Sequence, residues 1–472
     1  MNMSPTHLLP EAILFAGAVL TLLVGSFLPQ HRLWLTRLLA LLILTAASLA
    51  AAVAWATPAE AVFAATFAAD GPTSAARVII TVATIAVITL GKDEITGRAR
   101  ESETHVLLLL AALGSTVLAG ANDLLVLAVG FLLSSIPLYA LVGMERTALA
   151  AEGALKTYLI GALMGIALLL GATVLFGVAG TTGYGELAAA LPQAPAAAVT
   201  LGLVAVLGGL TFKMGAVPGH FWISDAAQGS STTVAAFLTT VPKIGAVMAA
   251  YRLVDLAPDS VNAGLFIALL AAVTMTLGNL AAFTQTDPRR LLGWSTVSQA
   301  GYLLLPVAVA GRSDLALPSM LLYLAGYAVS NLSGFAVIAA SPGRPNLSTY
   351  RGLAASRPWV AGALLVALLS LVGTPPTAVF AGKLTTFTAA WDGGLAWLVI
   401  IAAVNTVASL FYYLRWLAPA FRPAQDTGPG EARSAAPARW AGATAVATAS
   451  AVLALGLAAP LLWTVLDGQL AR

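Results

Sequence analysis

Four lysines lie inside long apolar stretches of the chain, where a charged side chain is costly. They are Lys156, Lys213, Lys243 and Lys383. A lysine near the centre of a bilayer costs roughly 2.5–3.5 kcal/mol on insertion scales. Burial also disfavours the charged form of an amine, so a nearby charge or a change in hydration decides whether it holds a proton. These residues therefore predict sites that take up and release protons.

Helix-breaking residues accompany three of these lysines. Proline frees a carbonyl group and kinks a helix. Interrupted backbone at membrane depth is tolerated where protein or trapped water satisfies it, so the pattern predicts hydrated internal sites. The alternative is a permanent charge that pins two helices together. The breakers are Pro218 after Lys213, Pro242 before Lys243, and the pair Pro375 and Pro376 before Lys383.

Lys156 and His220 each have two readings. Lys156 is close enough to the start of its span to snorkel, and Glu152 lies one helical turn earlier as a partner, either structural or functional. His220 follows Pro218 closely, and an imidazole passes protons near neutral pH. It can equally be a hydrogen-bonded helix cap. Both pairs of alternatives stay open on the sequence alone.

Composition makes the chain an integral membrane protein. Of its 472 residues 9% are charged and 59% hydrophobic, and the mean hydropathy is +0.90. The absence of cysteine excludes disulfides, thiolate metal sites and iron–sulfur ligation by this chain. With four histidines and no phosphate-binding, dinucleotide-binding or nucleic-acid-binding motif, we expect no metal, no cofactor and no nucleic acid on this chain.

Hydropathy predicts an all-α membrane fold of about fourteen transmembrane helices. Basic residues concentrate in the connections after odd-numbered spans, for example Arg98, Arg289 and Arg290. Basic connections stay in the cytoplasm, so both termini are expected on the outer side. The predicted spans are 8–28, 33–57, 74–91, 104–120, 122–143, 153–178, 194–216, 231–256, 261–284, 291–310, 316–341, 359–382, 395–417 and 440–466.

The spacing of two lysines predicts an internal repeat. Lys213 belongs to the seventh span and Lys383 to the twelfth, each beside a Gly/Pro break. Helices that are five spans apart cross the membrane in opposite directions. This relation is typical of inverted-topology repeats with broken helices at matching positions. The fourth to eighth and ninth to thirteenth spans would form the repeats. The predicted units are three N-terminal helices (1–103), the first repeat (104–256), the second repeat (257–420), and a cytoplasmic connection with the last helix (421–472).

Five segments between about Asn122 and Phe387 resemble one family. It is the antiporter-like family of proton-pumping NADH-quinone oxidoreductase (respiratory complex I), subunit N in particular, which also includes cation/proton antiporter subunits. Outside this stretch the likeness is mainly one of hydropathy. The segments are ANDLLVLAVGFLLSSIPLYALVG, EGALKTYLIGAL, GLTFKMGAVPGHFWISDAAQGSSTTVAAFLTTVPKIGAV, DPRRLLGWSTVSQAGYLLL and GTPPTAVFAGKLTTF.

The resemblance implies roles for individual residues. Lys213 matches the lysine of the broken seventh helix, Lys243 the connecting lysine of the eighth, and Lys383 the lysine of the twelfth, which exchanges protons with the outer side. His220 matches a histidine between the central lysines. Flavin, iron–sulfur clusters and quinone belong to partner subunits of the membrane and peripheral arms. The location implied is the bacterial plasma membrane.

One departure from the family pattern bears on function. Where the family reads Gly-Leu-Glu-Leu in the fifth span, this sequence has Gly130, Phe131, Leu132 and Leu133. In the family that glutamate pairs with the seventh-helix lysine, and its negative charge holds the lysine protonated. Either Glu152 substitutes for it and coupling is rewired, or the subunit pumps poorly.

The sequence thus predicts a proton-translocating membrane subunit of NADH-quinone oxidoreductase, a translocase subunit without a redox centre of its own. Two alternatives remain. One is a cation/proton antiporter or a subunit of one, and the other is a non-conducting scaffold, for which the replacement of glutamate by Leu132 is the argument.

Overall fold

Helices make up nearly all of the computed structural model, which describes residues 5–424, 438–466 and 468–471. The α-helices are α1 (Leu9–Phe27), α2 (Trp34–Ala54), α3 (Gly71–Leu90), α4 (Lys92–Ile95), α5 (Glu101–Gly120), α6 (Leu124–Gly143), α7 (Ala148–Ala179), α8 (Tyr184–Ala190), α9 (Ala196–Met214), α10 (Ile223–Gly229), α11 (Thr232–Asp255), α12 (Ala263–Ala282), α13 (Pro288–Ala308), α14 (Ala316–Ala340), α15 (Leu353–Ser356), α16 (Pro358–Val372), α17 (Ala378–Asp392), α18 (Ala396–Phe421), α19 (Arg439–Leu457) and α20 (Ala459–Leu466). Short 3-10 helices cover Pro5–Leu8, Gln30–Arg32, Leu191–Gln193 and Leu347–Tyr350.

Twelve helices in the described part of the chain are long and apolar enough to cross a membrane. The two remaining predicted spans correspond to α13, which carries many polar side chains, and to α16 with α17, which have only 15 residues each. The all-helical membrane fold is confirmed. The number fourteen, the four units and the inverted relation between the repeats stay predictions.

Two predicted spans were wrong in their extent. The span predicted at 359–382 is divided into α16 and α17 at the predicted break, but α17 continues to Asp392, so Lys383 lies well inside it. The last span, predicted as continuous over 440–466, is divided at Ala458 into α19 and α20. Most of the connection predicted before it, residues 425–437, lies outside the described residues. Hydropathy averaged over a window cannot register such short interruptions.

A small β-hairpin between α2 and α3 was not predicted. Its strands, β1 (Glu60–Val62) and β2 (Phe67–Ala69), pair antiparallel, with Glu60 opposite Ala69. Asn122, just before α6, donates from Nδ2 to the carbonyl of Ala65 in the hairpin turn at 2.8 Å. The hairpin therefore packs against the start of α6, the third long helix after it in the chain, and amends the purely helical expectation.

Capping residues mark where several long helices begin. A side-chain oxygen just before a helix accepts from backbone N–H groups that have no partner in the first turn. Each of the following side chains makes such a bond: Asp70 before α3, Asp123 before α6, Thr147 before α7, Ser231 before α11, Asn262 before α12 and Asp287 before α13.

The centre of the bundle is formed by α11 and α14. The most apolar window of α11 is 100% buried and that of α14 is 89% buried, whereas for α1, α7, α18 and α19 the figure is 33%. A helix that is apolar all round belongs in an interior. The helix that carries Lys243 is thus surrounded by protein on every side.

Candidate proton-transfer site

Two helices of the bundle are broken, as the sequence predicted. The first break separates α9 from α10 and the second separates α16 from α17. Each begins with a glycine in the left-handed region, Gly215 at φ 74° and Gly373 at φ 95°. Other L residues adopt this conformation at a cost. Each glycine is followed three positions later by a proline, Pro218 and Pro376, which has no N–H to continue a helix.

The backbone of the first break is held by side chains. Its freed N–H and C=O groups need partners in the protein, because the bilayer core contains no water that could bond them. The loop folds back on the end of α9 and also contacts α12. The bonds run from Val217 N to Thr274 Oγ1 (3.1 Å), from Gly219 N to Thr211 Oγ1 (3.2 Å) and from Trp222 Nε1 to Phe212 O (3.2 Å).

Lys213 lies at the end of α9 in an aromatic environment. It is 2% exposed, and among the described residues its Nζ has no hydrogen-bond partner. Nζ lies 5.7 Å from the ring centroid of Phe131 and 5.3 Å from that of Phe212. Leu132, which occupies the position of the family glutamate, is 44% exposed. Cation–π attraction is thus the main contact available to this ammonium group.

The substitute carboxylate considered for Lys213 is engaged elsewhere. Glu152 accepts a hydrogen bond from Lys156 at 2.5 Å, so the predicted pair between these two residues is confirmed. Lys156 also donates to Asp225 of α10 at 2.6 Å, and Asp225 accepts a further bond from Arg290 of α13. The Lys156 side chain is 40% exposed, unlike those of the other three lysines. The cluster joins α7, α10 and α13 near their ends.

His220 lies in the first break and is 2% exposed. Its ring centroid is 4.1 Å from that of Phe221 and 5.8 Å from that of Trp294, and Nδ1 has no partner among the described residues. The N-cap residue of α10, Trp222, makes no side-chain capping bond, and the helix-cap reading of His220 stays a prediction. A role in passing protons stays a prediction.

Lys243 lies at the centre of α11 and is 1% exposed. The expectation of a break here was wrong, because α11 runs without interruption through Pro242. Neighbouring helices pack against the segment around Pro242, and a single sequence does not reveal this packing. Lys243 Nζ donates to the carbonyl of Thr296 in α13 at 3.2 Å and lies 4.6 Å from the ring centroid of Tyr327.

Lys383 is held by the end of a half-helix. It is 4% exposed, and its Nζ donates to the carbonyls of Val372 (2.9 Å) and Leu371 (3.5 Å), the last residues of α16. Carbonyls at a helix C-terminus lack helical partners and carry the negative end of the helix dipole. Nζ also lies 3.4 Å from Thr406 Oγ1 and 3.9 Å from the ring centroid of Tyr302. These acceptors and the ring offset part of the cost of burying an ammonium group.

A polar helix between Lys243 and Lys383 was not predicted from the sequence. On α13, Thr296 accepts from Lys243, and Gln299 one turn later donates from Nε2 to Leu371 O at 2.9 Å. The Gln299 carbonyl oxygen accepts from the hydroxyl of Tyr323. A signal existed, since Ser295 to Gln299 contains four polar residues within a membrane span.

The two lysines beside the breaks occupy different positions relative to them. Lys213 precedes the glycine of its break, whereas Lys383 follows its own. When Gly215 is aligned with Gly373, the counterpart of Lys383 is Asp225 and the counterpart of Lys213 is Leu371. Matching positions therefore carry opposite charges or no charge. The two halves thus share the helix breaks but differ in the charged residues beside them.

Within residues 5–424, 438–466 and 468–471, no cluster of three or more His, Asp or Glu side chains has the arrangement of a metal site. Fold and site together define a multi-pass helical membrane protein in which amines are buried beside interrupted helices. Such a protein is equipped to carry charge across a membrane through internal groups.

Comparison with known proteins agrees with this class. A family described as NADH:quinone oxidoreductase/Mrp antiporter, transmembrane, matches residues 121–409. NADH-quinone oxidoreductase subunit N of Mycobacterium sp. (strain JLS) is 51% identical over 98% of both chains. Subunit N 1 of Streptomyces griseus is 53% identical over 97% of this chain and 96% of that one. A chain of respiratory complex I from Thermus thermophilus is 32% identical, with a TM-score of 0.83, over 98% of this chain and all of its own.

The chain therefore belongs to the NADH:quinone oxidoreductase/Mrp antiporter family, within its subunit N group.

Proposed function

We propose that this chain is a proton-translocating membrane subunit of an NADH-quinone oxidoreductase. The observation that carries the proposal is the burial of Lys213, Lys243 and Lys383, each at most 4% exposed, inside a bundle of membrane-crossing helices. Charged groups at this depth are costly and are kept where ions or protons move. The relationship to subunit N over almost the whole chain supports the identity of the complex.

In this proposal the chain handles protons and its partners handle electrons. Redox energy from flavin, iron–sulfur and quinone chemistry in other subunits shifts charge along the three lysines. Lys383 exchanges a proton with the outer side, and His220 lies along the route between the central lysines. Both termini face the outer side of the bacterial plasma membrane, and residues 104–256 and 257–420 act as two five-helix units.

The replacement of Lys383 by methionine tests this function. Lys383→Met keeps the length of the side chain and removes the titratable amine. We expect the assembled complex, reconstituted in vesicles, to lose proton pumping while its subunits stay together. Arg312→Met is the matched control, since Arg312 is an exposed cation in the connection between α13 and α14 and its loss should leave pumping intact. Normal pumping by Lys383→Met would refute the assignment.

A non-conducting scaffold is the second candidate, and the unpartnered amine of Lys213 favours it. A scaffold would be indifferent to Lys213→Met as well as to Lys383→Met, whereas a conductor is sensitive to both. Transport that depends on sodium and persists without NADH or quinone would instead identify an antiporter subunit, a class included in the matching family.

A further inference from the structure

An apolar groove lies on the surface between α3, α14 and α19, away from the lysine row. It encloses a cavity of about 530 Å³. Its walls are aliphatic side chains, including Ile79 and Val82 of α3 and Leu332 of α14, and its floor contains alanines such as Ala443 and Ala447 of α19. Small residues let a guest approach the helix backbones closely.

The groove is shorter than the hydrocarbon core of a bilayer. It runs from Val78 to Thr89 along α3 and from Trp440 to Leu455 along α19, which is roughly 17 Å and 22 Å at the rise of an α-helix. The hydrocarbon core of a bilayer is about 30 Å thick, so one leaflet contributes about half of that. A transmembrane helix of a partner protein would need a groove through both leaflets. A lipid chain needs one leaflet only.

A second cavity adjoins the groove at the basic end of these helices. Trp440 lines both cavities, and the second also encloses about 530 Å³. Its walls include Lys92, Asp93 and Glu94 of α4. Tryptophan is enriched where the apolar part of a membrane meets the headgroups. The surface thus changes from aliphatic to charged at the level where the acyl chains of a phospholipid meet its headgroup.

The charges of the second cavity are only partly used by the protein. Both Glu94 oxygens accept from the first N–H groups of α11, at 2.9 Å each. Asp93 accepts with Oδ2 from Trp440 N at 2.9 Å and Ala441 N at 3.3 Å, which leaves Oδ1 for another donor. Lys92 Nζ lies 3.5 Å from the Trp440 ring centroid, so its N–H groups on the other side are available to an anion.

We propose that this groove binds one phospholipid with an amine-bearing headgroup. One of its two acyl chains lies between α3, α14 and α19. Its phosphate binds Lys92, and its ammonium group binds Asp93. A lysine and a carboxylate side by side fit a zwitterionic headgroup better than a purely anionic one, which Asp93 would repel. The site is independent of the proposed proton function, because it shares no residue with the lysine row.

Photo-crosslinking tests the acyl-chain part of the site. The assembled complex is reconstituted in vesicles of phosphatidylethanolamine and phosphatidylglycerol that contain a trace of phosphatidylethanolamine with a diazirine in its acyl chain. We expect labelled peptides from α3, α14 and α19 around the groove. Ala447→Trp fills the groove from an exposed position and should lower this labelling roughly tenfold, since several methylene groups lose their contact area. Ala454→Trp, also exposed on α19 but outside the groove, should leave it unchanged.

Assembly of each variant is measured alongside labelling. If Ala447→Trp fails to assemble, Ala443→Leu provides a milder obstruction of the same groove. Equal labelling of groove-filling and control variants would overturn the proposal. So would a groove that stays unlabelled in the unaltered complex, because a segment of another subunit would then occupy it.

The headgroup part is tested by competition. The share of one unlabelled lipid in the vesicles is raised and the loss of labelling is measured. Phosphatidylethanolamine should lower the labelling more than phosphatidylcholine, whose quaternary ammonium has no N–H, and more than phosphatidylglycerol, which has no amine. Asp93→Asn should remove that preference, and Lys92→Gln should weaken competition by all three lipids alike, while labelling of the groove by a diazirine fatty acid persists in both variants. Equal competition by the three lipids in the unaltered complex would overturn the assignment of the headgroup.

Discussion

Gln299 and Lys383 donate to the same oxygen, the carbonyl of Leu371, from 2.9 Å and 3.5 Å. Leu371 belongs to the last turn of α16, whose final carbonyls have no helical donors. A side chain of α13 and a side chain of α17 are therefore joined through the end of a half-helix. Neither the Gln299 amide nor the Leu371 carbonyl titrates near neutral pH. In the proposed function, a proton that moves between Lys243 and Lys383 therefore passes Gln299 along water molecules or after the Gln299 side chain has moved aside.

Replacement of Gln299 by leucine should slow proton pumping. The variant is close in size and removes both polar contacts, so the Tyr323 hydroxyl loses its acceptor and Leu371 O loses its shorter bond. A buried polar group left without a partner costs about 1–3 kcal/mol. We expect lower pumping per NADH oxidised in vesicles and a lower midpoint for thermal inactivation.

Gln299→His is the informative companion, since imidazole restores a donor and an acceptor and adds a titratable group. We expect its pumping to equal or exceed that of the unaltered complex. Pumping by Gln299→His as low as that of Gln299→Leu would show that the polar link through α13 does not carry protons.

A methyl group added at Gly456 should disturb the second break. Gly456 lies on α19, and a Cβ atom there would be 2.1 Å from Pro376 O and 2.6 Å from Thr377 C. Backbone atoms cannot yield as a side-chain tip does, and overpacking of this kind costs roughly 1–3 kcal/mol. Since the same break positions Lys383, we expect Gly456→Ala to lower both thermal stability and pumping of the reconstituted complex.

Gly362→Ala on α16 is the matched control, because a Cβ at Gly362 would meet nothing within 4 Å. Alanine is preferred over glycine inside a helix by roughly 0.5–1 kcal/mol, so this variant should be neutral or slightly more stable. A Gly456→Ala complex as active and as stable as Gly362→Ala would contradict the close approach of α19 to the break.

The aromatic surroundings of Lys213 lead to a prediction that contrasts two neighbouring positions. Phe131 is 1% exposed and contacts Lys213, while Leu132 is 44% exposed. A carboxylate at position 131 would favour the charged form of Lys213. We therefore expect Phe131→Glu to raise the number of protons pumped per NADH, because it restores beside Lys213 the negative charge that the family glutamate supplies.

Leu132→Glu carries the same carboxylate on the outer side of α6. We expect it to reduce assembly, since an acid in apolar surroundings costs roughly 2.5–3.5 kcal/mol on insertion scales, and to leave the proton ratio of the assembled fraction unchanged. A change in ratio for Leu132→Glu and none for Phe131→Glu would mean that α6 presents the other face to Lys213.

The breaks could be predicted from sequence because their cause is local. Gly215 and Pro218, and Gly373 and Pro376, leave the backbone unable to continue an α-helix. Pro242 also lacks an N–H, yet α11 continues through it. Packing on all sides of α11 decides the outcome there, and a single sequence contains no measure of it.

The partners of the site residues depend on distances in space. Glu152 and Lys156 lie one turn apart on one helix, so their pairing was predictable, whereas Asp225 reaches Lys156 from another helix. Hydropathy predicted a span at 291–310, but it gave no sign that α13 contacts both Lys243 and the end of α16. The polar side chains of α13, such as Gln299, are buried against other helices, and their partners follow from the fold.

A buried ion pair far from the lysine row should be a main source of stability. Arg252 near the end of α11 donates from Nη2 to both oxygens of Asp70 at 2.9 Å and 2.7 Å, and their side chains are 3% and 0% exposed. Asp70 also caps α3 through Thr73 N and accepts from Ala471 N, each within 2.9 Å. Removal of one partner leaves a buried charge uncompensated, which costs about 3–5 kcal/mol.

Asp70→Ala should therefore lower the midpoint of detergent-induced unfolding, followed by tryptophan fluorescence, more than any exposed substitution. The double variant Asp70→Ala with Arg252→Leu should recover part of that loss, because the unpaired guanidinium is gone and leucine fills apolar space. The residual loss would measure the cap on α3 and the tie to Ala471. If the double variant is as unstable as Asp70→Ala, the loss comes from those backbone contacts, and the buried charge of Arg252 is satisfied without Asp70.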